Sequence, residues 1–314
     1  MAKLRVGIIG AGGGIANRRA QYFTENPNSE VVLCASRSRE KAAALAEQLG
    51  CDSVETWQGL AQSPEVDAVC IATPNALHYE QAKVVLEAGK HAEVEYPLCQ
   101  TLERAAELKK LADSKGVVLH HGLNVRSEPL YLTTLDNVNK LGSIACARIT
   151  YFGGGKWYVK PKVVGNMFLA LHLHFVDYFR GWFGEVKSVV ATRHESGEGD
   201  TYMHSGTVML QHERCPAALI EFGMGYVDKP KYTMQILGSD GLLAKDDKVT
   251  LARGGEVEEI HQGKNVALKV DTDNFVARVV EGATPLRTWE DGLRTMQVSL
   301  DCTRSVETGK KIVY

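Results

Sequence analysis

Two kinds of hydrophobic pattern divide the chain. In the first third, short β-rich runs alternate with helical stretches. Leu4–Ile9, Glu30–Ala35, Ala68–Ala72, His91–Glu95 and Val117–His120 read as strands. Ile15–Thr24, Arg39–Leu49, Ala76–Ala88 and Leu102–Lys115 read as helices, and Gly50, Gly89 and Gly116 stop the last three. Strand–helix alternation with short connections predicts an α/β Rossmann-type, doubly wound parallel sheet.

The pattern changes near Gly122. A helix at about Glu128–Lys140 is followed by the β-rich runs Ile144–Phe152, Val186–His194, Tyr202–Gln211, Ala217–Gly223 and Tyr232–Leu237. Between the first two lies an apolar helical stretch, Val163–Phe183, and Gly238-Ser-Asp-Gly241 is a turn signal. Helices at about Asp273–Glu281 and Glu290–Glu307 close the chain. Successive strands with segregated helices predict an α+β domain with a mostly antiparallel open sheet. The expected domains are residues 1–122 and 123–314.

Composition narrows this only slightly. At roughly 150 residues per domain, the 314 residues suit two domains. Net charge is −2, which argues against nucleic acid as the main partner. No apolar run reaches the roughly 18 residues of a membrane span, and the first residues read as a strand, not a signal peptide. The seven cysteines are scattered without a C-x-x-C pair, so neither a disulfide framework nor a zinc ribbon is expected. A cytoplasmic location follows from that thiol usage.

Candidate chemistry sits at predicted strand ends, where ligands of parallel sheets lie. Gly10-Ala-Gly12-Gly13-Gly14-Ile15 joins the first strand to the first helix. Its glycines permit a tight turn and let backbone N–H groups approach a pyrophosphate. The second strand ends in Ser36-Arg37, with no carboxylate for a ribose 2′-hydroxyl. Ser36 and Arg37 suit a 2′-phosphate, so NADP(H) is expected over NAD(H). Thr73-Pro74-Asn75 with His78 and Glu95-Tyr96-Pro97 follow at later strand ends. The Tyr96 hydroxyl can donate a proton, and Tyr96-Pro97 is expected to be cis. Asn124 and Arg126 leave the last parallel strand, and the aromatic, glycine-bearing loop with Trp157 suits a ring-shaped substrate. In Met167–Asp177, helical spacing puts Ala170, His174 and Asp177 on one face and His172 elsewhere. Two diverging histidines without a cysteine or carboxylate cluster predict no metal site.

The order of Gly10-Ala-Gly12, Thr73-Pro74-Asn75 with His78, Ala88-Gly89-Lys90-His91 leading to Glu95-Tyr96-Pro97, and Asn124-Val-Arg126 resembles the Gfo/Idh/MocA family of NAD(P)-dependent oxidoreductases. His174-Phe-Val-Asp177 and Leu237-Gly238-Ser-Asp-Gly241 extend the likeness into the second half. The resemblance makes His174 the acid/base histidine and gives Glu95, Thr73, Pro74, Asn75 and His78 to the cofactor side. Asn124, Arg126, Trp157 and Asp177 go to the substrate side. The chain departs from the family twice: Tyr96 replaces the usual Lys, and Ala170 replaces the usual Asp before the histidine. Tyr96, His174 and, in support, His172 are then the proton-transfer candidates. Glu-Tyr-Pro and Arg18-Arg19 are similar to biliverdin reductases of the same superfamily. The resemblance implies hydride transfer between nicotinamide and a carbonyl or alcohol carbon of a sugar, cyclic polyol or hydroxylated ring compound. Two alternatives are reduction of a conjugated bilin and a non-catalytic NADP(H) sensor. The expected partners are a small-molecule substrate and a second copy of the chain, as a homo-dimer or homo-tetramer through the C-terminal sheet; nucleic acid and membrane are not.

Overall fold

A computed structural model describes residues 2–153, 165–197, 203–225 and 230–314. The chain forms two compact units, residues 1–124 with 266–293 and residues 125–265 with 294–314.

The first unit begins with β1 (Leu4–Ile9), α1 (Gly14–Glu25), β2 (Ser29–Ala35), α2 (Arg39–Leu49), β3 (Asp52–Val54) and α3 (Trp57–Gln62). It continues through β4 (Ala68–Ile71), α4 (His78–Glu87), β5 (His91–Glu95), α5 (Leu102–Lys115) and β6 (Leu119–Gly122). The strands pair in parallel in the order β3-β2-β1-β4-β5-β6. Strand order reverses beside β1, so the carboxyl ends of β1 and β4 flank the crevice where doubly wound sheets bind ligands. Local chemistry fixes the helices. Ser38 caps α2 by accepting from the Lys41 N–H, and Thr101 caps α5 by accepting from the Arg104 N–H. Left-handed Gly50 and Gly116 end the same helices. The pair β3 and α3 was not expected: β3 is a three-residue edge strand that exists through its pairing of Asp52, Ser53 and Val54 with β2.

The second unit contains α6 (Pro129–Val138), β7 (Ile144–Phe152), a π-helical turn at Phe168–His172, α7 (Leu173–Phe183), β8 (Val186–Ser196), β9 (Met203–His212), β10 (Ala218–Met224) and β11 (Lys231–Gly238). After these come β12 (Gly241–Lys245), β13 (Val249–Arg253), β14 (Glu256–Ile260), then α8 (Ala267–Val280), which returns to the first unit, α9 (Trp289–Thr308) and β15 (Ile312–Val313). Nine strands form a mixed, mostly antiparallel sheet in the order β14-β13-β12-β11-β7-β10-β9-β8-β15, with β7 and β10 parallel. The expected turn is the Ser239-Asp240 loop joining β11 to β12, with Gly238 opposite Gly241. Helical side chains cover one sheet face: Phe168 meets Phe222 edge-on, and Thr134 lies against Met234. The other face carries Arg148 paired with Glu221, flanked by Leu219, Met209 and Leu237.

The cut at residue 122 misses one feature. Helix α8 belongs to the first unit, where Phe275 and Val276 join the core of Val6, Ile8, Phe23 and Cys34. Phe275 packs edge-on against Phe23.

Candidate active site

In the first unit the Gly-rich turn forms a cradle at the start of α1. Gly10 and Gly12 have φ of 108° and 86°, a region costly to any residue with a Cβ. A Cβ at Gly10 would also stand 2.3 Å from the Ala72 carbonyl oxygen. The turn is tied to β2, because the Ala35 carbonyl accepts from the N–H groups of Gly10 and Ala11. Gly13 is the N-cap of α1 and supplies no capping side chain, while a Cβ at Gly14 would meet only open space. The first-turn N–H groups beside Gly14 and exposed Ile15 thus suit a pyrophosphate. Arg37 is exposed and makes no bond to the described residues. Ser36 is half-buried, and its Oγ accepts from the Ser38 N–H. Thr73, Pro74 and Asn75 are half-buried at the end of β4, where Thr73 Oγ1 donates to Gln81. These residues fit a dinucleotide.

His78 takes a different place from the one expected. It is fully buried, with Nδ1 2.8 Å from the Pro97 carbonyl and Nε2 2.9 Å from the Thr73 carbonyl. Burial pulls its pKa down, while those two carbonyls and Glu95 oppose the shift. Both of its ring nitrogens are occupied by those carbonyls. His78 staples the end of β4 to the loop after β5. The Tyr96-Pro97 bond in that loop is cis, and Tyr96 is half-buried.

Glu95 is also drawn inward. Arg19, without exposure, donates Nε to Glu95 at 2.5 Å and Nη1 to Glu93 at 2.6 Å, with Nη2 2.9 Å from Asp271. Arg19 Nη1 reaches Thr272 as well, and His120 bonds Asp271 at 3.0 Å. Burial opposes the charge on Arg19, yet Glu93, Glu95 and Asp271 hold its pKa well above the usual value. Burial pushes the Glu93 carboxyl up to about 7 in spite of Arg19. Burial would also raise Asp271, but His120 and Arg19 hold it well below the carboxylate range. Glu93, His120 and Asp271 are close enough to ligate a metal, but the Arg19 guanidinium already serves as their cation. One Glu95 oxygen is therefore committed to Arg19, which links the cradle helix to the strand preceding Tyr96. Sequence reasoning noted Arg19 only through its resemblance. The stronger signal is its position on α1's apolar face among Ala16, Ala20 and Phe23, all buried.

In the second unit the π-helical turn changes the expected phase. An i→i+5 turn breaks the 3.6-residue register on which the shared face of Ala170, His174 and Asp177 was based. Ala170 and Asp177 are buried, and His174 is half-buried. His172 is buried against Phe222, with ring centroids 3.8 Å apart, and stacks on His204 at 6.0 Å. Neither His172 nor His204 has a bonded ring nitrogen among the described residues. Burial, with His204 and His174 nearby, pulls His172 well below the usual imidazole value. His172 is thus packed in the interior of the unit. Asp177 is likewise turned inward. It is fully buried, accepts from Thr295 Oγ1 at 2.8 Å, and holds Arg126 at 3.0 Å. The Arg126 side chain retains 26% exposure, so Arg126 is presented and Asp177 aims it. Asn124 is half-buried just beyond β6. Trp157 lies outside the described residues.

Residues 4–123 match a profile described as the NAD-binding Rossmann fold of the Gfo/Idh/MocA oxidoreductase family, and residues 137–313 match its C-terminal alpha/beta domain. The chain is 28% identical to a 1,5-anhydro-D-fructose reductase of Ensifer adhaerens, over 98% of this chain and 97% of that protein. It is 27% identical to an NADP(+) scyllo-inositol 2-dehydrogenase of Bacillus subtilis, over 61% of this chain and 55% of that protein. A Synechocystis biliverdin reductase solved with biliverdin and NADP+ superposes with a TM-score of 0.89, at 28% identity, covering 97% of this chain and 99% of that one. With both halves of the fold matched, the chain belongs to the Gfo/Idh/MocA oxidoreductase family and is an NAD(P)-binding oxidoreductase.

Proposed function

We propose that the protein is an NADP(H)-dependent oxidoreductase acting at a carbonyl or alcohol carbon of a sugar, cyclic polyol or hydroxylated ring compound. The near full-length likeness to a reductase of an anhydro-keto-sugar carries the substrate class. Unpartnered Arg37, with no acid at the end of β2, supports the 2′-phosphate.

When bound, the nicotinamide supplies or accepts the hydride at C4. Gly10 to Ile15 hold the pyrophosphate on backbone N–H groups, Ser36 and Arg37 the adenosine side, and Thr73 to Asn75 the edge of the cradle. Tyr96 Oη and the His174 imidazole are the groups that move a proton to or from the substrate oxygen. Arg126, aimed by Asp177, and Asn124 orient substrate oxygens, and the Trp157 ring suits a cyclic substrate.

The test mixes purified protein with NADPH or NADH and a panel of keto-sugars and inositols, following nicotinamide absorbance. Turnover with at least one ring substrate is expected. Tyr96→Phe or His174→Ala should lower kcat by about 10²–10⁴-fold, the range for a lost general acid/base. Dinucleotide binding without turnover on any substrate would favour a sensor.

A second reading has its own support. Glu95-Tyr96-Pro97 and the 0.89 TM-score to a biliverdin-bound structure favour a bilin. Loss of biliverdin visible absorbance with NADPH would move the assignment there. We also propose a homo-dimer or homo-tetramer through the open face of the nine-stranded sheet, which exposes Met209, Leu237 and Phe152.

A further inference from the structure

A pair of thiols lies behind the dinucleotide cradle, and the proposed reaction does not use them. Cys34 on β2 and Cys51, just after α2, bring their Sγ atoms to 3.8 Å. Cys34 is buried, whereas Cys51 is partly exposed beside exposed Asp52 and Ser53. Cys70, Cys99, Cys215 and Cys302 are buried, and Cys146 is exposed on β7 of the other unit. Cys146 lies near enough to Cys215 to influence it, but among the described residues only Cys34 and Cys51 bring two sulfurs into hydrogen-bond contact.

We propose that Cys34 and Cys51 are a redox modification site, which hydrogen peroxide closes to a disulfide that weakens dinucleotide binding. The accessible Cys51 thiolate attacks one peroxide oxygen. An S–O bond forms, the O–O bond breaks and hydroxide leaves, so sulfur loses two electrons and peroxide gains them. The Cys34 sulfur then attacks the Cys51 sulfenic acid; the S–S bond forms, and the hydroxyl leaves as water with the Cys34 proton. Exposure assigns these roles, since Cys51 reaches solvent and Cys34 does not. With Cys51 as the thiolate, the Cys34 S–H is the donor in their contact, which favours the Cys51 thiolate and, with burial, keeps Cys34 protonated.

The coupling runs through one residue. Cys34 precedes Ala35, whose carbonyl accepts from Gly10 and Ala11 at 3.0 and 3.1 Å, and Ser36 and Arg37 come next. Closing the sulfurs from 3.8 Å to a bond of about 2.05 Å pulls on the strand end that anchors the glycine turn. The affinity change rests on the cofactor site proposed at Gly10 to Gly14 and Arg37; the disulfide itself does not.

The experiment uses full-length Cys146→Ser protein, reduced and then treated with hydrogen peroxide. Intact mass, peptide mapping, and NADPH and NADH titrations are read before oxidation, after it, and after dithiothreitol. Loss of two hydrogens, a Cys34–Cys51 cross-linked peptide and about tenfold weaker dinucleotide binding, reversed by dithiothreitol, are expected. Added Cys51→Ser, or Cys34→Ala as a second variant, should abolish both the mass change and the affinity loss. No cross-link at this pair, a cross-link with unchanged affinity, or equal affinity loss in Cys51→Ser would overturn the proposal. Reduced protein that binds neither dinucleotide would sink the cofactor reading and the affinity effect together, and the peptide map would still decide the disulfide.

Discussion

Arg37 and Arg19 show how far burial changes the work of one side chain. Arg37 is exposed and bonds to none of the described residues, which suits the phosphate role proposed for it. Arg37→Ala should weaken NADPH by roughly 1.5–3 kcal/mol, the value of a charge-assisted bond, and leave NADH nearly unchanged. Fluorescence titration with each cofactor checks this, and equal losses would refute the 2′-phosphate assignment. Arg19 instead holds Glu93, Glu95 and Asp271 inside the first unit. Removing it strands buried carboxylates, so Arg19→Met should cost about 3–5 kcal/mol in chemical denaturation. The sequence displays Arg37 directly, because a strand end followed by Ser and Arg has a local meaning. Arg19's three carboxylate partners come from β5 and from α8, more than 70 residues away in either case. Helix periodicity alone cannot supply them.

At the level of elements, the segment leading into α7 marks the limit of pattern reasoning. Its apolar run correctly reads as helical, but the π-helical turn at Phe168–His172 resets the face on which each histidine lies. His172 therefore packs with Phe222 and His204 instead of supporting His174. Burial, partly offset by Glu195, draws His204 down to about 4 from the usual 6.5. The sign follows from proton uptake. Between those two values the unfolded chain binds more protons than the folded one, so this contribution is lost as pH falls from about 6.5 towards 4. His204→Phe keeps the ring and removes the proton site. Relative to wild type, it should gain on the order of 2 kcal/mol more at pH 5 than at pH 8. Denaturant titrations at the two pH values test this; a gain independent of pH would contradict it. By contrast, α2 and α5 match their expected bounds because a capping Ser or Thr and a terminal Gly are local signals.

For the whole molecule, the first unit is completed by a segment remote in sequence. Helix α8 adds Phe275 and Val276 to its core and Asp271 to its buried charges. A fragment of residues 1–124 should therefore fold poorly or not at all, and linking residues 266–293 to it should restore a cooperative thermal transition by circular dichroism. Equal stability of both fragments would show that α8 is dispensable. No helix of the described residues is long and apolar enough to cross a membrane. The sequence alone determined the parallel sheet, the mostly antiparallel second sheet and the glycine turn at Gly10 to Gly14. Each depends on local features: hydrophobic period, capping residues, and glycines where φ must be positive. Tertiary structure decided what those signals cannot carry. It made His78 a staple, Asp177 a support for Arg126 and His172 a core ring, gave Arg19 its carboxylates, and set Cys34 beside Cys51. Those outcomes depend on burial and on partners from distant segments. A residue's polarity is visible in the sequence, but its desolvation and its partners exist only once the chain has folded.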